Sequence, residues 1–177
     1  MNNLASTYSD QGQPNKAEEL EVKVLDTRKQ VLGDEHPDTL MSMNNLASTY
    51  SDLDRHNEAE QLQVKVLDTC KRVLGDEHPS TLISMSNLAY TYSDLGQPNK
   101  AEQLEVKVLD TRKRVLGEEH PDTLMSMNHL AQTYSALGRS DKAIQLYRKV
   151  ISIAEQTLGE QHPHTQLFHT NLKDMQN

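Results

Sequence analysis

Tryptophan is absent from this chain of 177 residues, phenylalanine and cysteine occur once each, and aromatic residues amount to only 4%. With hydrophobic residues at 35%, any one segment buries little by itself, and the core is expected to be long and thin rather than central. The lone cysteine, Cys70, leaves no partner for an internal disulfide, which argues against the oxidised, secreted class. A secretory leader pattern and an apolar run of about 18 residues are both missing, so nothing points to secretion or a membrane span, and a cytoplasmic setting is the expectation. Basic residues are in deficit: 18 Lys and Arg against 26 Asp and Glu give a net charge of −8 and a pI near 5.4. Nucleic acid and anionic membranes, which need a basic face to displace counterions, are thereby disfavoured as partners. Catalytic signatures are missing too. There is no phosphate-cradling glycine-rich loop, no His-Glu-x-x-His, and no base that the sequence sets beside Cys70, so neither enzymatic activity nor a cofactor is expected.

What the chain has in quantity is repetition. Leu32-Gly33-Asp34-Glu35-His36-Pro37 returns as Leu74 to Pro79, Leu116 to Pro121 and Leu158 to Pro163, at 42 residues each time. Gly33 is where a helix would end in a left-handed residue, and Pro37 is where the next would begin, because its fixed φ and missing N–H suit a first helical turn. Fixed spacing of such junctions makes each repeat a helical hairpin and the chain one solenoid. Its expected divisions are a truncated repeat 1 (1–36), repeat 2 (37–78), repeat 3 (79–120), repeat 4 (121–162) and a covering helix (163–177). Met1 to Tyr8 matches Met43 to Tyr50 almost letter for letter, so the chain is expected to open inside a first helix, and the near identity of residues 1–40 with 85–124 suggests a piece of a longer array.

The shorter helix, A, is clearest at residues 37–52, where Leu40, Met43, Leu46, Ala47 and Tyr50 recur at three- and four-residue steps. Gly12-Gln13-Pro14-Asn15 and Gly96-Gln97-Pro98-Asn99 then break the chain, with proline opening the second helix. Repeat 2 does this with Asp54-Arg55-His56-Asn57, where Asn57 is the expected N-cap. Helix B, near 57–74, points Ala59, Leu62, Val66, Leu67, Val73 and Leu74 at the core, while Glu58, Glu60, Lys65, Asp68, Lys71 and Arg72 form a solvated face. Cys70 has Arg28 and Arg112 as its counterparts, so an exposed position is expected there. Repeat 4 is richer in core residues, with Ile144, Tyr147, Ile151 and Ile153. The last helix should cover it with Leu167, Phe168 and Leu172, ahead of a fraying tail from Lys173.

Asn45-Leu46-Ala47, then Tyr50, then Ala59 nine residues on, reproduce the spacing of the tetratricopeptide repeat. The 42-residue period, the long helix B and the Leu-Gly-[Asp/Glu]-[Glu/Gln]-His-Pro junction resemble more specifically the kinesin-light-chain subclass, and similar arrays form sensor regions of nucleotide-binding receptor-like proteins. One departure is that the aromatic common early in helix B is replaced by Glu21, Gln63 and Glu105, and returns only as Tyr147. The resemblance implies an all-α, right-handed α-solenoid of antiparallel helical hairpins, with the A helices lining a concave wall. It also implies a non-catalytic module that binds an extended peptide or protein segment along that wall. In peptide-binding members an asparagine just before the helix A leucine holds the ligand backbone. The matching positions are Asn3, Asn45, Asn87, His129 and Asn171.

Other residues expected on the wall are Asn44, Ser48, Tyr90, Asn128 and Gln132, with Met41, Ile83 and Met125 as apolar neighbours. Amide and hydroxyl side chains both donate and accept, which suits the backbone of an extended chain. Helix packing is the plainer reading of the same asparagines and methionines. The wall lacks Lys and Arg, and Asp10, Asp52 and Asp94 lie near the ends of the A helices, so an acidic ligand is disfavoured. His36, His78, His120 and His162 are one per repeat and cannot converge on an ion, so they are expected to cap or pack at the junction. His164 and His169 fall on different helix faces, and no metal site is expected. Two other readings stand beside peptide recognition: a spacer that pairs end to end through the truncated first repeat, where Leu4 and Tyr8 would be uncovered, and a sensor fragment of a larger nucleotide-dependent receptor.

Overall fold

The computed structural model describes Tyr8 and residues 11–176, and among these the regular elements are all helices. They are α1 (Pro14–Leu32), α2 (Pro37–Asp52), α3 (His56–Leu74), α4 (Pro79–Asp94), α5 (Pro98–Leu116), α6 (Pro121–Ala136), α7 (Ser140–Thr157) and α8 (Pro163–Gln176). The chain is an all-α solenoid of helical hairpins, and it divides into two compact units at residues 1–95 and 96–177, between the two helices of repeat 3. Asn3 and Leu4, with Asp10, lie outside the described residues.

In the first unit α2 packs against both α1 and α3, α3 against α4, and α2 touches α4. Leu25, Leu40, Met43, Leu46, Val66 and Cys70 form its core. Ala17 and Ala59 are fully buried, the small residue that lets two helices approach. In the second unit α6 packs against α5 and α7, and α8 closes over α7 and α6. Leu124, Met127, Tyr147, Val150 and Phe168 are buried together there. The helix continues through Lys173 to Gln176, with Met175 packed on the core, so the expected fraying tail is helical. Leu167, expected to cover repeat 4, is 40% exposed, because Thr165 and Phe168 take the buried side of α8.

The junctions decide where helices start and stop. Gly75 has φ 88 and ψ 166, which is the mirror image of extended backbone rather than the left-handed helical well, a region open essentially to glycine alone. Its N–H bonds the Lys71 carbonyl and ends α3. His78 then accepts the Ser80 N–H at Nδ1 (3.1 Å), as His36 does from Asp38 and His120 from Asp122. Histidine is therefore the N-cap of each A helix from α2 to α6, followed by proline in the first turn. Replacing His78 with Ala should lower stability by about 0.5–1 kcal/mol, and asparagine should restore most of it. An unchanged urea midpoint for the alanine variant would show that the cap contributes nothing.

Two expectations about helix B are corrected. Asn57 is not the N-cap: Arg55 holds that position without a side-chain bond, and the turn is made by Asp54 at φ 57, where Gly12, Gly96 and Gly138 stand in other repeats. Aspartate tolerates that conformation better than most residues do, which is how repeat 2 dispenses with glycine. Val73 is 49% exposed, as Val31 and Val115 are at 74% and 52%. It lies on the apolar side of α3 but in its last turn, after Leu67 and Cys70 have made the core contacts.

Candidate functional site

On α2 and α4 the side turned away from the core carries Met41, Ser48, Ile83 and Tyr90, all exposed, flanked by half-buried Asn44, Asn45 and Asn87. Tyr90 is the most open of these at 66%. In the second unit Gln132 is exposed and His129 half-buried. Burial, with the charge of Arg112 adding to it, pulls His129 below the ordinary histidine range. Its ring is thus neutral at neutral pH and can serve as a polar contact but not as a cation.

Asn128 differs from the rest. It is 2% exposed, and its Oδ1 accepts a hydrogen bond of 2.8 Å from Asn171 Nδ2 on α8. The amide expected on the wall instead ties two A helices together. Asn171 sits at the position that Asn45 and Asn87 hold in their helices, so one member of the asparagine series is engaged in packing. Asn44, the counterpart of Asn128, has its Oδ1 buried without a hydrogen-bond partner.

The position of Cys70 overturns its expected exposure. The thiol is 2% exposed and 3.7 Å from the Ser84 hydroxyl of α4. Its arginine counterparts also point inward. Arg28 Nη1 donates to the Asp38 carbonyl (2.8 Å) and to Ser42 Oγ (2.7 Å), and Arg112 Nη1 to the Asp122 carbonyl (3.1 Å) and Ser126 Oγ (2.8 Å). Burial pulls the Arg112 guanidinium below its ordinary range while Asp122 opposes it. A charge at this register is held by a carbonyl and a hydroxyl of the following helix A, so an arginine there does not signal solvent.

The structure has two concavities, only the first of which adjoins the α2 and α4 faces, and neither was legible in the sequence. One of about 290 Å³ lies between α2, α3 and α4, with Cys70, Met41 and Ile83 among its walls. The other, about 420 Å³, lies among α5, α6 and α7, where Val106, Leu130 and Leu146 meet Tyr134 and Lys142.

Glu105 is a further feature that spacing hid. It occupies the usual aromatic position of helix B, is 8% exposed, and is pushed up to about 7 by burial, with a hydrogen bond from Thr133 opposing and the charge of Glu102 adding. Glu21 is raised in the same way, with Thr49 as its counterpart partner. Among the described residues no group of three His, Cys, Asp or Glu side chains converges as metal ligands, and no helix is long and apolar enough to cross a membrane.

Two family models, both described as tetratricopeptide repeat, match residues 1–69, 44–113 and 123–164. No curated protein matches the chain. Among solved structures, the crystal structure of nearly identical TPR-like repeats from a Podosopora anserina protein assigned to the kinesin light chains is 33% identical. It superposes with a TM-score of 0.85 over 98% of this chain and 82% of that one. BtubC (BKLC) from P. vanneervenii is 23% identical, with a TM-score of 0.82 over 97% of this chain and 68% of that one. A Rap protein complexed with Competence and Sporulation Factor shares the fold at 16% identity, with a TM-score of 0.70 over 97% of this chain and 51% of that one.

Proposed function

The chain belongs to the tetratricopeptide-repeat family as a kinesin-light-chain-like array of protein-interaction repeats, and on that premise we propose that it binds an extended peptide along the exposed faces of its A helices. The observation that carries this reading is the make-up of the α2 and α4 faces. Half-buried Asn45 and Asn87 hold their amides beside open Ser48 and Tyr90, with Met41 and Ile83 as exposed apolar steps. Amides fixed at repeat spacing suit backbone groups, and the apolar steps suit alternate side chains. No Lys or Arg stands on these two helices, and Asp52 and Asp94 end them, so the ligand is neutral or basic. The Rap structure, which holds a bound factor, lends support at the level of the fold.

The test is a fluorescence-anisotropy screen of a panel of unstructured peptides against the whole chain and an Asn45→Ala/Asn87→Ala variant. The best binder is expected to lose at least tenfold in affinity, because two buried-edge amides each contribute about 1 kcal/mol, while the far-UV spectrum stays unchanged. Equal affinity for the two proteins would overturn the A-helix site.

A further inference from the structure

Residues 28, 70, 112 and 154 occupy one register, and residues 42, 84, 126 and 168 face them from the following helix A. Three of these four pairs fill the space between them. Arg28 and Arg112 do so with a guanidinium bonded to the facing serine and to a first-turn carbonyl. The fourth pair sets a small residue, Ala154, against a ring, Phe168, and both are fully buried. Cys70 and Ser84 are small on both sides, and over them lies the cleft of about 290 Å³.

The lining of that cleft indicates what it takes. The Ser84 hydroxyl and the Ser80 carbonyl correspond to the two acceptors that the following repeat offers to Arg28 and to Arg112, and here the hydroxyl donates to the carbonyl with no guanidinium on either. Asn44 also lines the space, with its Oδ1 buried and without a hydrogen-bond partner. Asp38 adds negative charge at the rim, and no Lys, Arg or His lines the space. The remaining surface is apolar, and Met41 and Ile83 at the mouth are 46% and 50% exposed. An apolar channel ending in acceptors suits a long aliphatic stem that carries a donor-only head.

We propose that this cleft is a guanidinium pocket, in which an arginine side chain of the bound partner takes the place that Arg28 and Arg112 fill against the repeats that follow them. The side chain enters between Met41 and Ile83, lays its methylenes on the apolar wall and donates to Ser84 Oγ and the Ser80 carbonyl. This rests on the reading of the A-helix faces as peptide-binding, and it fixes the ligand class as a peptide with an arginine at one anchor.

The probe is N-acetylarginine amide, titrated into the whole chain and followed by amide proton–nitrogen NMR, with N-acetylnorleucine amide as the apolar control. Saturable shifts around Asn44, Cys70 and Ser84 are expected for the arginine probe alone. Cys70→Arg should supply the guanidinium from within and weaken the probe at least tenfold while keeping the helical spectrum, since it copies the arrangement of repeats 1 and 3. Ser84→Phe, which copies repeat 4, closes the cleft by a second route should the first variant fold poorly. Undiminished binding in a folded variant, equal binding of the norleucine probe, or the absence of saturable shifts would each overturn the pocket. Because the norleucine control carries the same two amide groups as the arginine probe, the difference between them reads the side chain alone and not backbone contacts at Asn45 and Asn87, so the two readings can fail separately.

Discussion

Phe168→Ala is expected to remove about 3–5 kcal/mol from the docking of α8, the range for deleting a fully buried ring. Phe168 is the chain's only phenylalanine, is completely buried, and with Thr165 makes up the buried side of α8. Leu172 and Met175 of the same helix pack on the cluster that holds Leu124, Met127 and Tyr147 but are only partly buried, so Phe168 is its principal anchor. The loss should therefore be local before it is global: the amides of α8 become exchangeable while those of α6 and α7 keep much of their protection, as repeat arrays with nearest-neighbour coupling behave. Hydrogen exchange read by mass spectrometry distinguishes this from uniform weakening, and Phe168→Leu should recover over half of the lost protection. Native protection of α8 in the alanine variant would show that the ring does not hold the helix in place.

A second large effect of the opposite sign is expected at Glu105. Its carboxyl is pushed up to about 7 from the ordinary 4.5, chiefly by burial. Below about pH 4.5 the group is protonated whether the chain is folded or not, and it costs nothing. As the pH rises the unfolded chain releases its proton first, so the folded state loses about 1.4 kcal/mol for each pH unit until about 7, roughly 3 kcal/mol in all. Glu105→Gln removes the ionisable group while keeping the amide-sized shape, which the chain itself uses at Gln63 in the same register. The variant is expected to be more stable than the natural chain by about 2–3 kcal/mol at pH 8 and to match it near pH 4.5. Urea unfolding at several pH values reads this directly, and parallel profiles for the two proteins would rule out a titrating Glu105.

The helices were legible because their ends are written in residue types with narrow backbone tolerance. Glycine with positive φ, proline in the first turn and a histidine cap recur at fixed spacing, so the span 37–52 of helix A could be read off and stands as Pro37–Asp52. The candidate site was legible in identity but only partly in reach. Periodicity tells which side of a helix a residue occupies, yet it does not tell whether another helix lies over that side. Asn44 and Asn128 have the same place in their repeats, but only Asn128 meets an Asn171 that binds it. Cys70 was misread for a related reason. Arginine at positions 28 and 112 suggested solvent, whereas both guanidinium groups turn inward to a serine and a carbonyl that lie fourteen and ten residues further on. Charge alone signals exposure only when no acceptor waits inside, and acceptors supplied by the next helix are invisible in a one-dimensional pattern.

The clamps between successive helices B carry a consequence for how such a chain changes over generations. Arg55 reaches back to Glu18 at 2.7 Å, and Arg139 to Glu102 at 2.6 Å, while the same position in the alternate repeats is glutamine, Gln13 and Gln97. Recombination between near-identical copies that slips by 84 residues sets arginine against glutamate again and leaves each clamp intact. A slip of 42 residues brings glutamine to an acid that had a cation. The clamp therefore recurs every two hairpins, twice the period of the fold itself.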